Sequence, residues 1–283
     1  MTLKIASVLV LLSFVNFHIF AARLTPLPTN KKKSNRPNMS KEKLAVMVDG
    51  GLGRVICAIP ALQQLADKFE LLVVSGGWLE AYKGSGLNVL PMNLPNQADL
   101  LDGYRVIKPE PYWELSYRSG EHNLVEAFYL ALYMDLPESD LPFKTDTRSV
   151  GSLIKAPKPA LMFQPFGSGG AADQRSMYKS EIDAVVEKYK KEYSIFLVGC
   201  PDDMGYDKKD VTFVKDLKKA AFIRFVQECT LFVGCDSSGL HIAAAAGVPH
   251  IVYLGPTSGV KYYDKTSKII RKGYEGMRTN PRL

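Results

Sequence analysis

A short apolar run is followed directly by five residues that together could form an anion-binding site, namely Asp236, Ser237, Ser238, Gly239 and His241. A strand in a parallel sheet delivers the residues that follow it to its carboxyl edge, where ligands bind. A helix that begins at Ser237 would offer unpaired N–H groups and the positive end of its dipole to a phosphate. Gly239 would let the backbone approach that ligand closely. The alternative is an ordinary helix cap with His241 packed in the core, and the residues alone do not decide between the two.

A glycine-rich turn at residues 165–170 is the second candidate for anion binding. It contains Ser168 and Gly169 and follows another apolar run, and Arg175 comes shortly after it. Backbone N–H groups in such a turn can cradle an anion, and an arginine can bind a diphosphate through two parallel hydrogen bonds. The alternative is a flexible surface loop with a solvated arginine.

A third turn runs from Asp49 through Gly50, Gly51 and Gly53 to Arg54. It is not a Walker loop, because the Gly-Lys-Ser/Thr ending is absent, and it lacks the last glycine of a dinucleotide-binding G-x-G-x-x-G turn. The Asp49 carboxylate is placed to act as a base at the end of the first strand. Alternatively, Asp49 caps the turn or pairs with Arg54.

Strands and helices alternate along the chain in two series, each opening with a strand and a glycine turn. Strands are predicted at 44–48, 71–74, 89–90, 104–107, 160–164, 195–198, 211–214, 231–234 and 250–254, and helices at 55–69, 124–134, 180–189, 220–229 and 240–246. This alternation predicts parallel sheets covered by helices on both faces. We therefore predict two Rossmann-like α/β domains, 39–148 and 149–283, with the three turns facing a cleft between them.

The stretch 231–249, with Gly255-Pro256-Thr257 after it, resembles the heptosyltransferase-like family of glycosyltransferases, family 9, which has the GT-B fold. Members carry an Asp, a Ser or Thr and a Gly, then a His five residues after the Asp, an alanine-rich helix and a Gly-Pro-Thr turn. The resemblance covers most of residues 44–260. It implies a GT-B architecture, with two Rossmann-like domains facing a central cleft. It also implies donor binding by Ser168, Gly169, Arg175, Asp236, Ser237, Ser238, Gly239, His241, Gly255 and Thr257.

The resemblance implies transfer of a sugar from an ADP- or UDP-type donor to an acceptor hydroxyl, with inversion and without a metal or other cofactor. The acceptor, a glycan, a lipid-linked molecule or a protein, would lie on the N-terminal domain, where a base takes its proton. Members have a presumed catalytic Asp after the last glycine of the N-terminal turn, but this chain has Arg54. Asp49 is therefore the candidate base, and Arg54 is the second residue predicted at the catalytic centre.

Two other functions stay open. The chain is alternatively a non-catalytic nucleotide-sugar-binding protein, which the presence of Arg54 favours, or a nucleotide-sugar epimerase on the same scaffold. Acceptor-dependent transfer would separate both from a glycosyltransferase.

The distribution of charge and the first 38 residues indicate which partners and which location to expect. The chain has 36 basic and 29 acidic residues, but residues 1–38 hold six of the basic and none of the acidic ones. The remainder is nearly neutral, so we expect no nucleic-acid partner. The apolar run 5–20 is a cleaved signal, a membrane anchor or an extension upstream of Met39. We expect a cytoplasmic protein, with association with a membrane surface through residues 5–20 as an alternative.

The cysteines Cys57, Cys200, Cys229 and Cys235 form no C-x-x-C pair, and their spacing with the four histidines is not that of a zinc site. We expect buried thiols in a reducing compartment.

Overall fold

A computed structural model describes residues 41–132, 154–167, 175–200, 204–207, 209–255 and 268–271. The apolar run 5–20 and the predicted domain boundary at 148 lie outside these residues. Within them, no helix is both long and apolar enough to cross a membrane.

The first sheet is parallel, and its described strands are β1 Lys43–Val48, β2 Glu70–Ser75, β3 Val89–Pro91 and β4 Arg105–Ile107. Their order across the sheet is β3-β2-β1-β4, so β4 pairs with β1 although it is the last of the four in the chain. The helices of this part are α1 Leu52–Lys68, α2 Gln97–Leu100, α3 Leu115–Arg118 and α4 Leu124–Ala131, with 3-10 turns at Leu79–Tyr82 and Pro111–Trp113.

The second sheet is also parallel, and its described strands are β5 Ala160–Gln164, β6 Ser194–Val198, β7 Val211–Val214, β8 Leu231–Cys235, β9 His250–Leu254 and β10 Lys268–Arg271. Their order is β10-β9-β8-β5-β6-β7. Its helices are α5 Lys179–Tyr189, α6 Lys219–Glu228 and α7 Ser238–Ala245. The carboxyl ends of β8 and β5 therefore lie side by side at one edge.

Helix α1 forms because its apolar residues recur at helical spacing, and nearly all of its first eleven residues are buried. Helix α4 begins at a capping box in which the Asn123 side chain accepts from the Val125 and Glu126 N–H groups and Glu126 accepts from the Asn123 N–H group. Helix α1 packs against α4 on its own sheet and against α7 of the second sheet. This contact brings the two glycine-led helix starts together and creates the candidate site.

The predicted architecture is confirmed, because two parallel sheets with helices between their strands form the described core. The domain limits 39–148 and 149–283 stay a prediction.

Candidate functional site

The start of helix α7 lies at the carboxyl edge of the second sheet, as predicted. Asp236 leaves β8, and Ser237 is the N-cap residue with extended backbone. Within the described chain the Ser237 side chain makes no capping hydrogen bond to α7. Its hydroxyl instead donates to Gln164 Oε1 at the end of β5, 2.9 Å away. The N–H groups of the first turn are therefore not used by a Ser237 cap and can bind an anion.

Gly239 allows this helix start to sit tightly on the sheet. A Cβ atom at Gly239 would lie 2.3 Å from Gln164 Oε1 and 2.7 Å from Cε2 of Phe232, a fully buried ring. The neighbouring Gly234 is equally confined, with a Cβ position 2.6 Å from the Gln164 carbonyl oxygen. Sequence reasoning missed Gln164, which links β5 to the start of α7, because nothing in the sequence indicates that β5 and β8 are neighbours.

Arg175 is brought to the same edge. Its Nη1 donates to the Asp236 carbonyl oxygen, 3.1 Å away, and its side chain is half-buried. The Gly167 N–H group donates to Ser176 Oγ at 3.1 Å, which ties the segment after β5 to the residue next to Arg175. The arginine and the helix start thus converge, as expected for an anion site. Among the other predicted donor residues, Gly255 is buried just after β9, and Ser168, Gly169 and Thr257 lie outside the described residues.

His241 lies in the contact between α7 and α1. Its ring is buried, and its Nδ1 is 3.5 Å from the Sγ of buried Cys57. Burial lowers the pKa of His241 below its usual value, and the nearby Arg175 cation adds to this, while the Asp236 charge opposes it. Burial also raises the pKa of the Cys57 thiol. A neutral thiol and a neutral imidazole therefore meet between the two helix starts.

The pH dependence of stability should report this buried histidine. Because the pKa of folded His241 is below the unfolded value of about 6.5, the unfolded chain binds the extra proton. The contribution of the neutral ring is fully present above that value and is lost as the pH falls through the folded pKa. We expect the free energy of unfolding of the parent to fall more steeply between about pH 7.5 and 5 than that of His241→Asn, by at most about 1.4 kcal/mol per pH unit. Thermal melting of both proteins at each pH checks this. The same pH dependence of stability in the parent and in His241→Asn would contradict the assignment.

Gly53 lies against the His241 ring where the two helix starts meet. A Cβ atom at Gly53 would lie 2.7 Å from His241 Cδ2, in a ring held by Cys57, whereas one at Gly51 would meet no atom within 4 Å. We expect Gly53→Ala to destabilise the fold by about 1–3 kcal/mol through overpacking. Gly51→Ala, the control two residues earlier, adds no clash and should cost less, about 0.5–1 kcal/mol, because alanine is a poorer N-cap residue than glycine. Denaturant unfolding of the two variants checks this, and equal stability of both would refute the contact.

A charged cluster surrounds the third turn. Arg54 is buried, and its Nη2 donates to the Pro109 carbonyl oxygen at 2.9 Å and to Glu110 Oε2 at 3.2 Å. The same Nη2 is 3.6 Å from Asp49 Oδ1. The guanidinium carbon lies 5.1 Å from the centre of the Tyr112 ring, a cation–π contact. The loop after β4 therefore holds Arg54 in place.

Asp49 is engaged by two cations. Lys108 Nζ lies 2.8 Å from Asp49 Oδ2, and Arg54 approaches the other oxygen. The hydrogen bond from Lys108 lowers the pKa of Asp49, and the Arg54 charge acts in the same direction, while partial burial opposes them. The sequence candidates Asp49 and Arg54 are thus together, and Lys108 and Glu110 contact them. Sequence reasoning missed these two residues, although both lie within three residues of the end of the predicted strand 104–107.

A cavity of about 490 Å³ opens at the carboxyl ends of β6 and β7. Its lining residues include Gly199, Cys200, Lys215 and Asp216, together with the apolar side chains of Val198, Val214, Leu217 and Phe222. It lies on the same edge of the second sheet as the start of α7. Among the described residues, no group of three or more His, Cys, Asp or Glu side chains could hold a metal ion.

We compared the chain with protein-family models, with curated proteins and with solved structures, and the solved structures alone gave matches. No protein-family model and no curated protein matches the chain. Among solved structures, E. coli heptosyltransferase WaaC with ADP-2-deoxy-2-fluoro heptose has a TM-score of 0.57 at 13% identity, covering 82% of this chain and 93% of that chain. The glycosyl transferase family 9 protein from Veillonella parvula has a TM-score of 0.61 at 12% identity, with coverages of 84% and 89%.

A third solved structure is the iron-containing dodecameric glycosyltransferase TibC from enterotoxigenic E. coli, with a TM-score of 0.59, 13% identity and coverages of 81% and 62%. The similarity to each of the three structures covers at least 81% of this chain. The chain thus has the GT-B fold of the heptosyltransferase-like family 9 glycosyltransferases.

Proposed function

We propose that the chain is a glycosyltransferase that moves a sugar from a nucleoside diphosphate donor to an acceptor hydroxyl. The observation that carries this proposal is the convergence of two anion-binding features at one sheet edge. The first turn of α7 is not capped by Ser237, and Arg175 is hydrogen-bonded to the Asp236 carbonyl oxygen at that turn. Helix N–H groups and a guanidinium are the groups that bind a diphosphate.

The rest of the donor would extend along the same edge. Strands β8 and β6 are separated only by β5, a span of about 10 Å at the usual strand spacing. The cavity at the ends of β6 and β7 therefore lies within reach of a nucleoside whose diphosphate sits at α7. The apolar walls of this cavity suit the nucleobase of the donor, and Lys215 and Asp216 would supply polar contacts. WaaC, which shares the fold, was solved with an ADP sugar, which supports an ADP-type donor, with UDP as the alternative.

The chemistry needs a base on the acceptor side and positive charge on the donor side. The base takes the acceptor hydroxyl proton, the acceptor oxygen attacks the anomeric carbon, and the bond to the diphosphate breaks. One such displacement inverts the anomeric centre. The α7 start and Arg175 would stabilise the departing charge, so we propose that no metal is needed. The acceptor would be a glycan, a lipid-linked molecule or a protein bound on the first sheet.

A transfer assay tests the proposal. The purified protein is incubated with ADP- and UDP-sugars and a panel of acceptors, and nucleoside diphosphate release and product mass are measured with and without EDTA. The anomeric configuration of the product is determined by NMR. We expect an acceptor-dependent product that carries one added sugar with the opposite anomeric configuration, at a rate that EDTA does not change. A rate that EDTA abolishes and a divalent metal or iron restores would contradict the metal-independent mechanism, which matters because TibC is described as iron-containing.

A second candidate is a non-catalytic nucleotide-sugar-binding protein. The observation that favours it is that buried Arg54, which cannot accept a proton, occupies the position of the family's presumed base. Saturable donor binding without release of nucleoside diphosphate for any acceptor would support this alternative. Conversion of the donor into its epimer would support the epimerase instead.

We also propose a cytoplasmic location, with residues 5–20 as the segment that could bring the protein to a membrane surface. Fractionation of cells that express the full chain, compared with a chain that begins at Met39, would show whether this segment changes the distribution.

A further inference from the structure

We propose that Glu110 is the general base that accepts the proton of the acceptor hydroxyl. This inference rests on the proposed transferase function and assigns the base that Arg54 displaced. Glu110 follows β4, which lies beside β1 in the first sheet. The two strands therefore bring Glu110 and the third turn to the same carboxyl edge.

The two oxygens of Glu110 have different surroundings. Oε2 accepts a hydrogen bond from Arg54 Nη2 at 3.2 Å, which fixes the carboxylate. Oε1 lies 3.7 Å from Lys108 Nζ, beyond hydrogen-bond distance, and has no hydrogen-bond partner among the described residues. The side chain is 38% exposed. One oxygen is thus held, and the other is open to a hydroxyl from solvent or substrate.

Asp49, the base predicted from the sequence, is less suited to this step. Lys108 Nζ lies 2.8 Å from its Oδ2, and Arg54 Nη2 lies 3.6 Å from its Oδ1. The hydrogen bond from Lys108 lowers the pKa of Asp49. Each carboxylate thus has one hydrogen-bonded oxygen and one oxygen at 3.6 or 3.7 Å from a cation. The difference is that the ammonium of Lys108 holds Asp49 at 2.8 Å, whereas the guanidinium of Arg54 holds Glu110 at 3.2 Å.

Glu110 is also close to the donor side. Its partner Arg54 lies in the first turn of α1, and the adjacent Gly53 packs on His241 in the first turn of α7. The carboxylate is therefore one arginine side chain away from the contact between the two helix starts. Glu110 also lines a cavity of about 920 Å³, together with Lys108 and Trp113.

The step conserves atoms and charge. The hydroxyl proton moves to Oε1 of Glu110 as the acceptor oxygen forms a bond to the anomeric carbon. The bond from that carbon to the donor phosphate oxygen breaks, and its electron pair leaves with the nucleoside diphosphate. Glu110 then returns the proton to solvent. Arg54 touches no reacting atom in this scheme and acts as the residue that positions Glu110.

Glu110→Gln tests the role, because it keeps the shape of the side chain and removes the basic oxygen. The rates of nucleoside diphosphate release from ADP- and UDP-sugars are compared for the full-length parent, Glu110→Gln, Glu110→Asp and the control Glu121→Gln, an exposed carboxylate of the same half. We expect Glu110→Gln to lose on the order of a hundredfold or more in kcat and to keep its donor Kd within about twofold. Glu110→Asp should retain part of the rate, and Glu121→Gln should match the parent.

The pH profile separates a base from a structural residue. The kcat/KM of the parent should fall on the acid side with one ionisation, and this limb should be absent from Glu110→Gln and present in Glu110→Asp. A Glu110→Gln rate within about threefold of the parent, or a larger loss for Asp49→Asn than for Glu110→Gln, would overturn the proposal. If Glu110→Gln fails to fold, loss of the acid limb in a folded Glu110→Asp overturns it as well. A parent that binds donor but releases no nucleoside diphosphate would contradict the transferase function itself.

Discussion

Gly239→Ala is expected to weaken donor binding by on the order of a hundredfold or more. The new Cβ atom would lie 2.7 Å from the Phe232 ring, which is fully buried and cannot move away, and 2.3 Å from Gln164 Oε1. Gln164 can swing aside only by giving up its hydrogen bond with the Ser237 hydroxyl. Either the start of α7 shifts off the sheet or the Ser237 backbone turns, and both changes misplace the N–H groups that would bind the diphosphate.

The same clash should reduce stability without unfolding the protein. Overpacking of this kind costs about 1–3 kcal/mol, a fall of about 3–10 °C in melting temperature for a chain of this size. Gly77→Ala is the control, since a Cβ atom there meets nothing within 4 Å. Titration with ADP and UDP, and with their sugars, and thermal melting check both effects. A Gly239→Ala protein that binds donor and melts as the parent does would show that the helix start is not tightly seated.

Arg175→Ala is expected to weaken nucleoside diphosphate binding by about 10- to 100-fold, the cost of a lost charge-assisted hydrogen bond. The guanidinium is fixed at the α7 start by the hydrogen bond from its Nη1 to the Asp236 carbonyl oxygen, 3.1 Å away. It can therefore bind a diphosphate without first being ordered, and its loss removes both charge and geometry.

Two controls separate these contributions. Arg175→Lys keeps the charge but loses the planar fork, so an intermediate affinity is expected. Arg105→Ala removes an exposed arginine at the edge of the first sheet and should leave donor affinity unchanged. The Arg175→Ala loss should also shrink as salt is added, because screening weakens the charge. If Arg175→Ala and Arg105→Ala bind donor equally well, Arg175 does not contact the diphosphate.

The fold could be predicted from the sequence wherever apolar runs are bounded by turn residues. The strands 160–164, 211–214 and 250–254 are observed at the predicted residues, and most of the other strands and helices differ by one to three residues at their ends. The strand Lys268–Arg271 was missed because its four residues include only two apolar ones, so its pairing with β9 rather than its own pattern defines it.

The residues of the candidate site that form local motifs could be predicted from the sequence, but the contacts between elements distant in the chain could not. The Asp236 to His241 spacing and Arg175 are local signals, and the structure brings them to one edge. The bond from Ser237 to Gln164 depends on β5 lying beside β8, and the contact of Cys57 with His241 depends on α1 packing on α7. Such neighbours are set by the order of strands and the packing of helices, which short-range periodicity does not encode.

Glu110, the proposed general base, is another residue whose spatial neighbours could not be predicted from the sequence. From the sequence, Asp49 is the nearest carboxylate to Arg54, because only separation along the chain is visible. In the folded chain β4 lies beside β1, and a carboxylate 56 residues away is hydrogen-bonded to the same guanidinium. The sequence could indicate that Arg54 stands where the similar family has its presumed base, but the strand order was needed to propose Glu110 in its place.

We propose above all that the carboxyl edge of the second sheet binds a nucleoside diphosphate at the start of α7. Isothermal titration of the full-length protein with ADP, UDP and their sugars, alongside Arg175→Ala and Gly239→Ala, tests it most directly. We expect saturable binding at one site per chain for at least one of these nucleotides, weakened by about 10- to 100-fold in Arg175→Ala and by more in Gly239→Ala. Absence of binding to every nucleotide, or binding that both variants retain at the parental affinity, would contradict it.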